Sequence, residues 1–282
     1  MPFPPLIGTA ALQDLLPDPS LVVLDASWYL PGAGRDAMAE YAAGHLPGAW
    51  FFDLDAASDL TTPLPHMMPP AAQFEAMARS CGIGNDSTVV VYDGSGVNLS
   101  AARVWWMFRA FGLTRVALLD GGLGAWCNEG RPMEHGLPTA PVPGTFRAAP
   151  VGSQLRSLDE VRRVVSSGEA QVVDARPAGR FTGRDAEPRP GVRSGHIPGS
   201  LSLPYAELVD DGGRMLPLDA LRARMQGAGV DLARPVVATC GSGTSACAIL
   251  LTLELLGAPS GSLYDGAWTE WGSRPDLPVE TE

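Results

Sequence analysis

Lysine is missing from all 282 residues, so every one of the 20 basic side chains is an arginine. That absence excludes Schiff-base catalysis and a lysine-containing phosphate loop in one step. Basic charge is scarce overall: 31 acidic against 20 basic residues leave a net charge of −11, which makes nucleic acid and anionic membranes poor partners. The first arginine is Arg35, and Met1 to Ala11 carries none of the basic residues expected of a signal or transit peptide. No apolar run approaches membrane-spanning length, since the best candidate is broken by Glu254. A cytoplasmic protein is expected. The four cysteines, Cys81, Cys127, Cys240 and Cys247, form no C-x-x-C pair and no zinc-like spacing with the four histidines. No metal and no disulfide framework are expected. One cysteine with a special job and three ordinary ones is the economical reading.

What is present reads as soluble and globular, with 45% hydrophobic and 18% charged residues and enough chain for two domains. Two halves of it are alike. Leu21 to Ala26 resembles Gln171 to Arg176, Gly44-His45-Leu46-Pro47-Gly48 resembles Gly195-His196-Ile197-Pro198-Gly199, and Val89 to Gly96 resembles Val236 to Gly243. The paired positions Asp25/Asp174, His45/His196, Asp93/Cys240 and Asp120/Asp265 lie 149, 151, 147 and 145 residues apart. So small a drift fits a duplicated domain with minor loop changes. Short Val-rich runs alternate with helix-like segments such as Ala71 to Cys81 and Leu218 to Gln226, which argues for buried parallel strands with helical crossovers. Ser157-Leu158-Asp159-Glu160 is a capping box that opens a helix. The spacing predicts a first domain over 1–132, a Pro- and Gly-rich linker over 133–152, and a second domain over 153–282. Both Gly-His-x-Pro-Gly segments read as structural turns whose histidine bonds locally.

The second half holds the stretch most suited to chemistry. Val236 to Thr239 is strand-like, Cys240 follows, and Gly241-Ser242-Gly243 turns the chain into an apolar run closed by Gly257. The glycines let several amides point inward, and the start of the next helix adds its positive end, so a thiol there loses its proton more easily. The same residues also suit a buried, inert cysteine at an ordinary strand-to-helix turn. A third reading takes Gly241 to Ala246 as a G-x-G-x-x-A dinucleotide fingerprint with Asp265 as the ribose acid. That reading ranks lower, because too little chain follows to complete such a fold. A Cys-x5-Arg phosphatase loop is excluded by Ala246. Asp93 stands where Cys240 stands in the second half, so the first half is expected to lack the nucleophile and to fit a non-catalytic module.

With these features, the chain resembles the two-domain rhodanese-type sulfurtransferases over nearly its whole length. Cys240-Gly241-Ser242-Gly243 is similar to the loop of the 3-mercaptopyruvate subgroup, whereas thiosulfate sulfurtransferases tend to carry basic residues after the cysteine. Leu24 to Pro31, Arg103 to Gly112 and Tyr264 to Trp271 match the same subgroup. Thr244-Ser245 departs from the usual Val-Thr pair. The resemblance implies two α/β domains, each a parallel sheet flanked by helices, with the active site between them. It implies that Cys240 takes the sulfur of 3-mercaptopyruvate as a persulfide, releases pyruvate, and passes the sulfur to thioredoxin, a small thiol or cyanide without any cofactor. Arg180 and Arg189 fall on positions that bind the substrate's carboxylate and carbonyl oxygens, and Gly241, Gly243, Thr244 and Ser245 complete the substrate site. Ser242 is expected to form a relay with Asp55 and His66, which match the corresponding positions. Arg176, Arg184 and Arg193 crowd the same short stretch as Arg180 and Arg189; Arg184 and Arg193 are read as solvated.

Overall fold

β-Branched residues are stiff at χ1 and pack well on a pleated surface. In the computed structural model the Val-rich runs accordingly become the buried middle strands of two parallel sheets. It describes residues 3–30, 32–152, 154–259 and 261–281. Pro31, the last residue of one family-like stretch, lies outside them. The first sheet contains β1 (Leu6–Ile7), β2 (Leu21–Asp25), β3 (Ala49–Phe51), β4 (Thr88–Tyr92) and β5 (Val116–Leu119), in the order β1-β5-β4-β2-β3. The second contains β6 (Leu155–Arg156), β7 (Gln171–Asp174), β8 (Leu201–Ser202), β9 (Val236–Thr239) and β10 (Ser262–Tyr264), in the order β6-β10-β9-β7-β8. Every pairing is parallel. The two orders are the same topology written twice, as a duplication requires.

Helices flank both sheets: α1 (Thr9–Leu15), α2 (Ala37–Ala43), α3 (Ala71–Ser80), α4 (Leu99–Ala110) and α5 (Gly122–Asn128), then α6 (Leu158–Ser167), α7 (Ala178–Phe181), α8 (Leu218–Gly227), α9 (Ala246–Leu255) and α10 (Ala267–Ser273). The capping box forms as read: Ser157 Oγ accepts from the Glu160 amide, and the Glu160 carboxylate accepts from the Ser157 amide at 2.8 Å. No helix among the described residues is long and apolar enough to cross a membrane.

The chain divides into two units, and neither coincides with one stretch of sequence. The first comprises Met1–Asp59, Pro69–Val151 and Asp210–Met215; the second comprises Leu60–Met68, Gly152–Val209 and Leu216–Glu282. Each borrowed segment is held the same way. In the first unit Asp120 Oδ1 accepts from the Met215 amide at 2.7 Å, and in the second Asp265 Oδ2 accepts from the Met68 amide at 2.7 Å. Asn98 Nδ2 also donates to the Gly213 carbonyl at 2.9 Å. A Cβ on Gly213 would lie 2.3 Å from the Gly96 oxygen, so only glycine permits that approach.

The Gly-His-x-Pro-Gly turns are twins. His45 Nδ1 bonds the Tyr41 carbonyl at 2.9 Å and His196 Nδ1 bonds the Phe181 carbonyl at 2.8 Å, each ring stacked on the aromatic residue that supplies the carbonyl. Both histidines serve the fold.

The stretch 133–152 contains no named helix or strand, and it packs along the first unit. Phe146 is fully buried against Phe74 and Phe108, at ring separations of 6.0 and 6.1 Å, within a cluster that also takes in Phe52 and Phe111. Its amide and carbonyl bond Ile83 and Arg79. Replacing Phe146 by Ala should cost about 3–5 kcal/mol of stability, read as a lower urea midpoint for loss of first-unit structure. A cost under about 1 kcal/mol would mean that the stretch is a loose connector.

Candidate active site

The second sheet reverses its winding between β7 and β9: one crossover leaves β7 toward β8, and the next returns to the other side. Ligands of open α/β sheets bind at such a point, outside the carboxyl ends of the strands. Cys240 leaves the end of β9 there, and Arg176 lies just beyond the neighbouring end of β7.

Cys240 is 2% exposed. The Trp268 amide donates to its carbonyl at 2.8 Å, and the Thr269 amide and hydroxyl donate to the Gly241 carbonyl at 3.0 and 2.6 Å. In a trans peptide the N–H points opposite to the C=O. With the carbonyls of Cys240 and Gly241 turned onto α10, the amides of Gly241 and Ser242 face away from it, into the loop. Gly243 takes φ 77°, and α9 begins at Ala246, just ahead of the apolar run. Ala267, first residue of α10, is held at φ 52°, the same angle as its counterpart Gly122. A left-handed alanine costs about 1–2 kcal/mol, and this strain lies next to the contacts that hold the cysteine loop.

The first unit carries the matching loop with a carboxylate in the thiol's place. Asp93 is 1% exposed and accepts from the amides of Ser95, Ser100 and Ala101 at 2.9, 2.9 and 2.8 Å. The Leu123 amide bonds the Asp93 carbonyl just as Trp268 bonds that of Cys240. Loop amides and a helix start that accommodate a buried carboxylate form an anion receptor.

Three predicted residues come together. His66 Nδ1 lies 2.9 Å from Ser242 Oγ and 3.1 Å from Thr244 Oγ1, and all three residues are at least nine-tenths buried. His66 belongs to the second unit through its borrowed segment, where it takes φ 58°, a left-handed conformation uncommon outside glycine. The Met68–Asp265 bond anchors the backbone two residues on. Asp55 belongs to the first unit, where the Trp28 indole donates to both of its carboxylate oxygens at 3.1 Å. Ser245 is buried just ahead of α9.

The arginine stretch is a charge network. Arg176, 1% exposed, donates to Asp174, to Glu187 and to the Gly195 carbonyl, and it lies 4.5 Å from the Trp268 ring. Burial opposes its charge, and Asp174 and Glu187 outweigh that, so its pKa lies above the usual guanidinium value. Arg180 shares Glu187 through Nε and Nη2 and lies against the cysteine loop: a Cβ on Gly241 would be 3.0 Å from Nη2. Arg189 is half-buried. Arg184 is exposed, as read. Arg193 is not solvated; its guanidinium donates to the carbonyls of Gly272, Arg274 and Leu277 and ties down the chain after α10. The central part of Glu187 was missed by the sequence reading, because a carboxylate among five arginines looks like an ordinary surface pair.

The remaining cysteines are ordinary. Burial pushes the Cys81 thiol up to about 11 and raises that of Cys127. Cys247 Sγ bonds the Gly243 carbonyl from inside α9.

Comparison with known proteins follows the repeat. The rhodanese-like domain family matches residues 9–129 and again 157–274. The 3-mercaptopyruvate sulfurtransferase of Escherichia coli is 43% identical, covering 97% of each chain. The thiosulfate sulfurtransferase of Rattus norvegicus is also 43% identical, covering 93% of this chain and 88% of the relative. The crystal structure of a 3-mercaptopyruvate sulfotransferase from Escherichia coli superposes with a TM-score of 0.86 at 39% identity, over 94% of this chain and 99% of that one.

Glu187 holds two guanidinium groups while only 4% exposed. Glu187→Gln leaves Arg176 with Asp174 as its one carboxylate and the part-buried Arg180 facing a neutral amide, and should destabilise the protein by about 3 kcal/mol in thermal or urea unfolding. An unchanged melting point would mean that Asp174 alone suffices for Arg176.

Proposed function

We propose that this chain, which belongs to the rhodanese-like family as a two-domain sulfurtransferase, moves the sulfur of 3-mercaptopyruvate to a thiol through a persulfide on Cys240. The Cys240 thiolate attacks the substrate sulfur; an S–S bond forms, the C–S bond breaks, and its electron pair passes to the departing fragment as the enolate of pyruvate. An acceptor thiolate then attacks the outer sulfur and frees the Cys240 thiolate. Thioredoxin or a small thiol serves as acceptor, in the cytoplasm. The persulfide is itself the sulfur carrier, so the cycle closes without a cofactor.

The carrying observation is the 2.9 Å contact between His66 Nδ1 and Ser242 Oγ, two residues beyond the nucleophile. An enolate needs a proton as it departs, and a serine hydroxyl backed by an imidazole supplies one. Asp55 is the carboxylate assigned to orient His66. Sulfite, the fragment that thiosulfate would release, is already a stable anion and has no such need. Arg180, held against Gly241, and Arg189 receive the carboxylate and carbonyl oxygens of the substrate, a task that guanidinium forks suit. Gly241, Gly243, Thr244 and Ser245 line the same site. The likeness to a thiosulfate sulfurtransferase favours a second reading, with thiosulfate as the main donor.

Mass spectrometry after treatment with 3-mercaptopyruvate should find one added sulfur, on Cys240; Cys240→Ser should accept none, since an alcohol cannot hold a persulfide. Sulfur on another cysteine would reject the assignment. Ser242→Ala and His66→Ala should slow mercaptopyruvate turnover on the order of 10²-fold and thiosulfate turnover far less. Equal losses for both donors would reject the relay, and a parent enzyme that prefers thiosulfate would establish the second reading.

A further inference from the structure

His66 Nδ1 has two hydroxyl partners and capacity for one. An imidazole nitrogen carries either one in-plane lone pair or one proton, yet Ser242 Oγ lies 2.9 Å away and Thr244 Oγ1 3.1 Å away. All three groups are buried, at 4, 7 and 3% exposure for His66, Ser242 and Thr244, so water is a poor substitute for either hydroxyl. The duplicated loop supplies an internal comparison. There Ser95 matches Ser242 and gives its hydroxyl hydrogen to Asp93 at 2.5 Å, while the position of Thr244 is filled by Val97, which has nothing to share. A hydroxyl at this loop position occurs only in the copy whose serine faces a histidine.

We propose that Thr244 is a positioning residue for sulfur transfer, sharing His66 Nδ1 with Ser242 and holding the ring while Ser242 serves the substrate. The inference rests on the relay described above. During transfer Ser242 Oγ–H gives its proton to the pyruvate enolate, and the Nδ1 proton of the His66 imidazolium follows onto Ser242 Oγ, leaving a neutral ring protonated on Nε2; the acceptor thiol returns a proton to Nδ1 as it becomes the attacking thiolate. A threonine hydroxyl both accepts and donates. It accepts from Nδ1–H before the proton leaves and donates to the bare Nδ1 afterwards. The imidazole therefore stays in register through both protonation states, although Ser242 cannot serve ring and substrate equally at every moment. A valine offers the same shape and neither bond.

The test uses the full chain with ¹⁵N-labelled histidine, its His66 signals assigned by their loss in His66→Ala. Thr244→Val should move the Nδ1 resonance of His66 at fixed pH, and Thr244→Ser should return it toward the parent position. With 3-mercaptopyruvate, Thr244→Val should lower kcat by about three- to tenfold at nearly constant KM, as expected for one neutral hydrogen bond, and Thr244→Ser should recover most of the loss. Circular dichroism melting identifies a folding defect, and Thr244→Ala is the second variant should valine misfold. An Nδ1 resonance unmoved by Thr244→Val overturns the proposal, even where Ser242→Ala and His66→Ala behave as members of a relay. Equal slowing by Thr244→Val and Thr244→Ser overturns it too. A moved resonance combined with equal losses of both donors in Ser242→Ala and His66→Ala keeps Thr244 as the holder of the ring and rejects the relay instead.

Discussion

The carbonyls of Cys240 and Gly241 are both taken up by the first turn of α10, through the Trp268 amide and the Thr269 amide and hydroxyl. From that constraint the rest of the site follows. Fixing two carbonyls fixes two peptide planes, so the intervening amides must line the inside of the loop. Ser242 is then carried to a place where His66 can reach it, and Gly241 is left bare against Arg180. The anchoring turn is itself under tension, because Ala267 holds a backbone angle that its counterpart Gly122 adopts freely.

Duplication lets the two loops be compared under one architecture. In one, a carboxylate grown from the chain occupies the ring of amides. In the other, the Cys240 thiol occupies the position. On a shared frame, Asp93 is exchanged for Cys240 at the centre and Val97 for Thr244 beside it. A frame that accommodates a buried carboxylate in one copy offers the other copy's cysteine a setting suited to an anion.

Legibility in the sequence tracked the range of the interaction. The strand–cysteine–glycine turn–helix unit, the repeat, the capping box and the two histidine turns are all fixed by neighbours within a few residues, and they stand in the structure much as the sequence suggested. His66 reaches Ser242 across 176 residues, and only family likeness pointed to it. The arginine stretch was harder. Its composition says nothing about which guanidinium is sealed in, and the fold buried Arg176 on Asp174 and Glu187 while Arg193 went to backbone carbonyls. The Thr244 hydroxyl meets the histidine only because the loop curls as it does.

The borrowed segments have a consequence for what can be inherited separately. Residues 60–68 and 210–215 sit at matching places in the two repeats, yet each is counted among the neighbours of the other repeat's sheet. A fragment cut at the repeat boundary would be whole as a piece of ancestry and incomplete as a piece of protein. The first half would leave Asp120 and Asn98 without the backbone groups they bind, and the second would keep Cys240 while forfeiting its histidine. Each repeat thus supplies a segment that completes the other's unit, and the repeat without Cys240 supplies the His66 that lies beside Ser242.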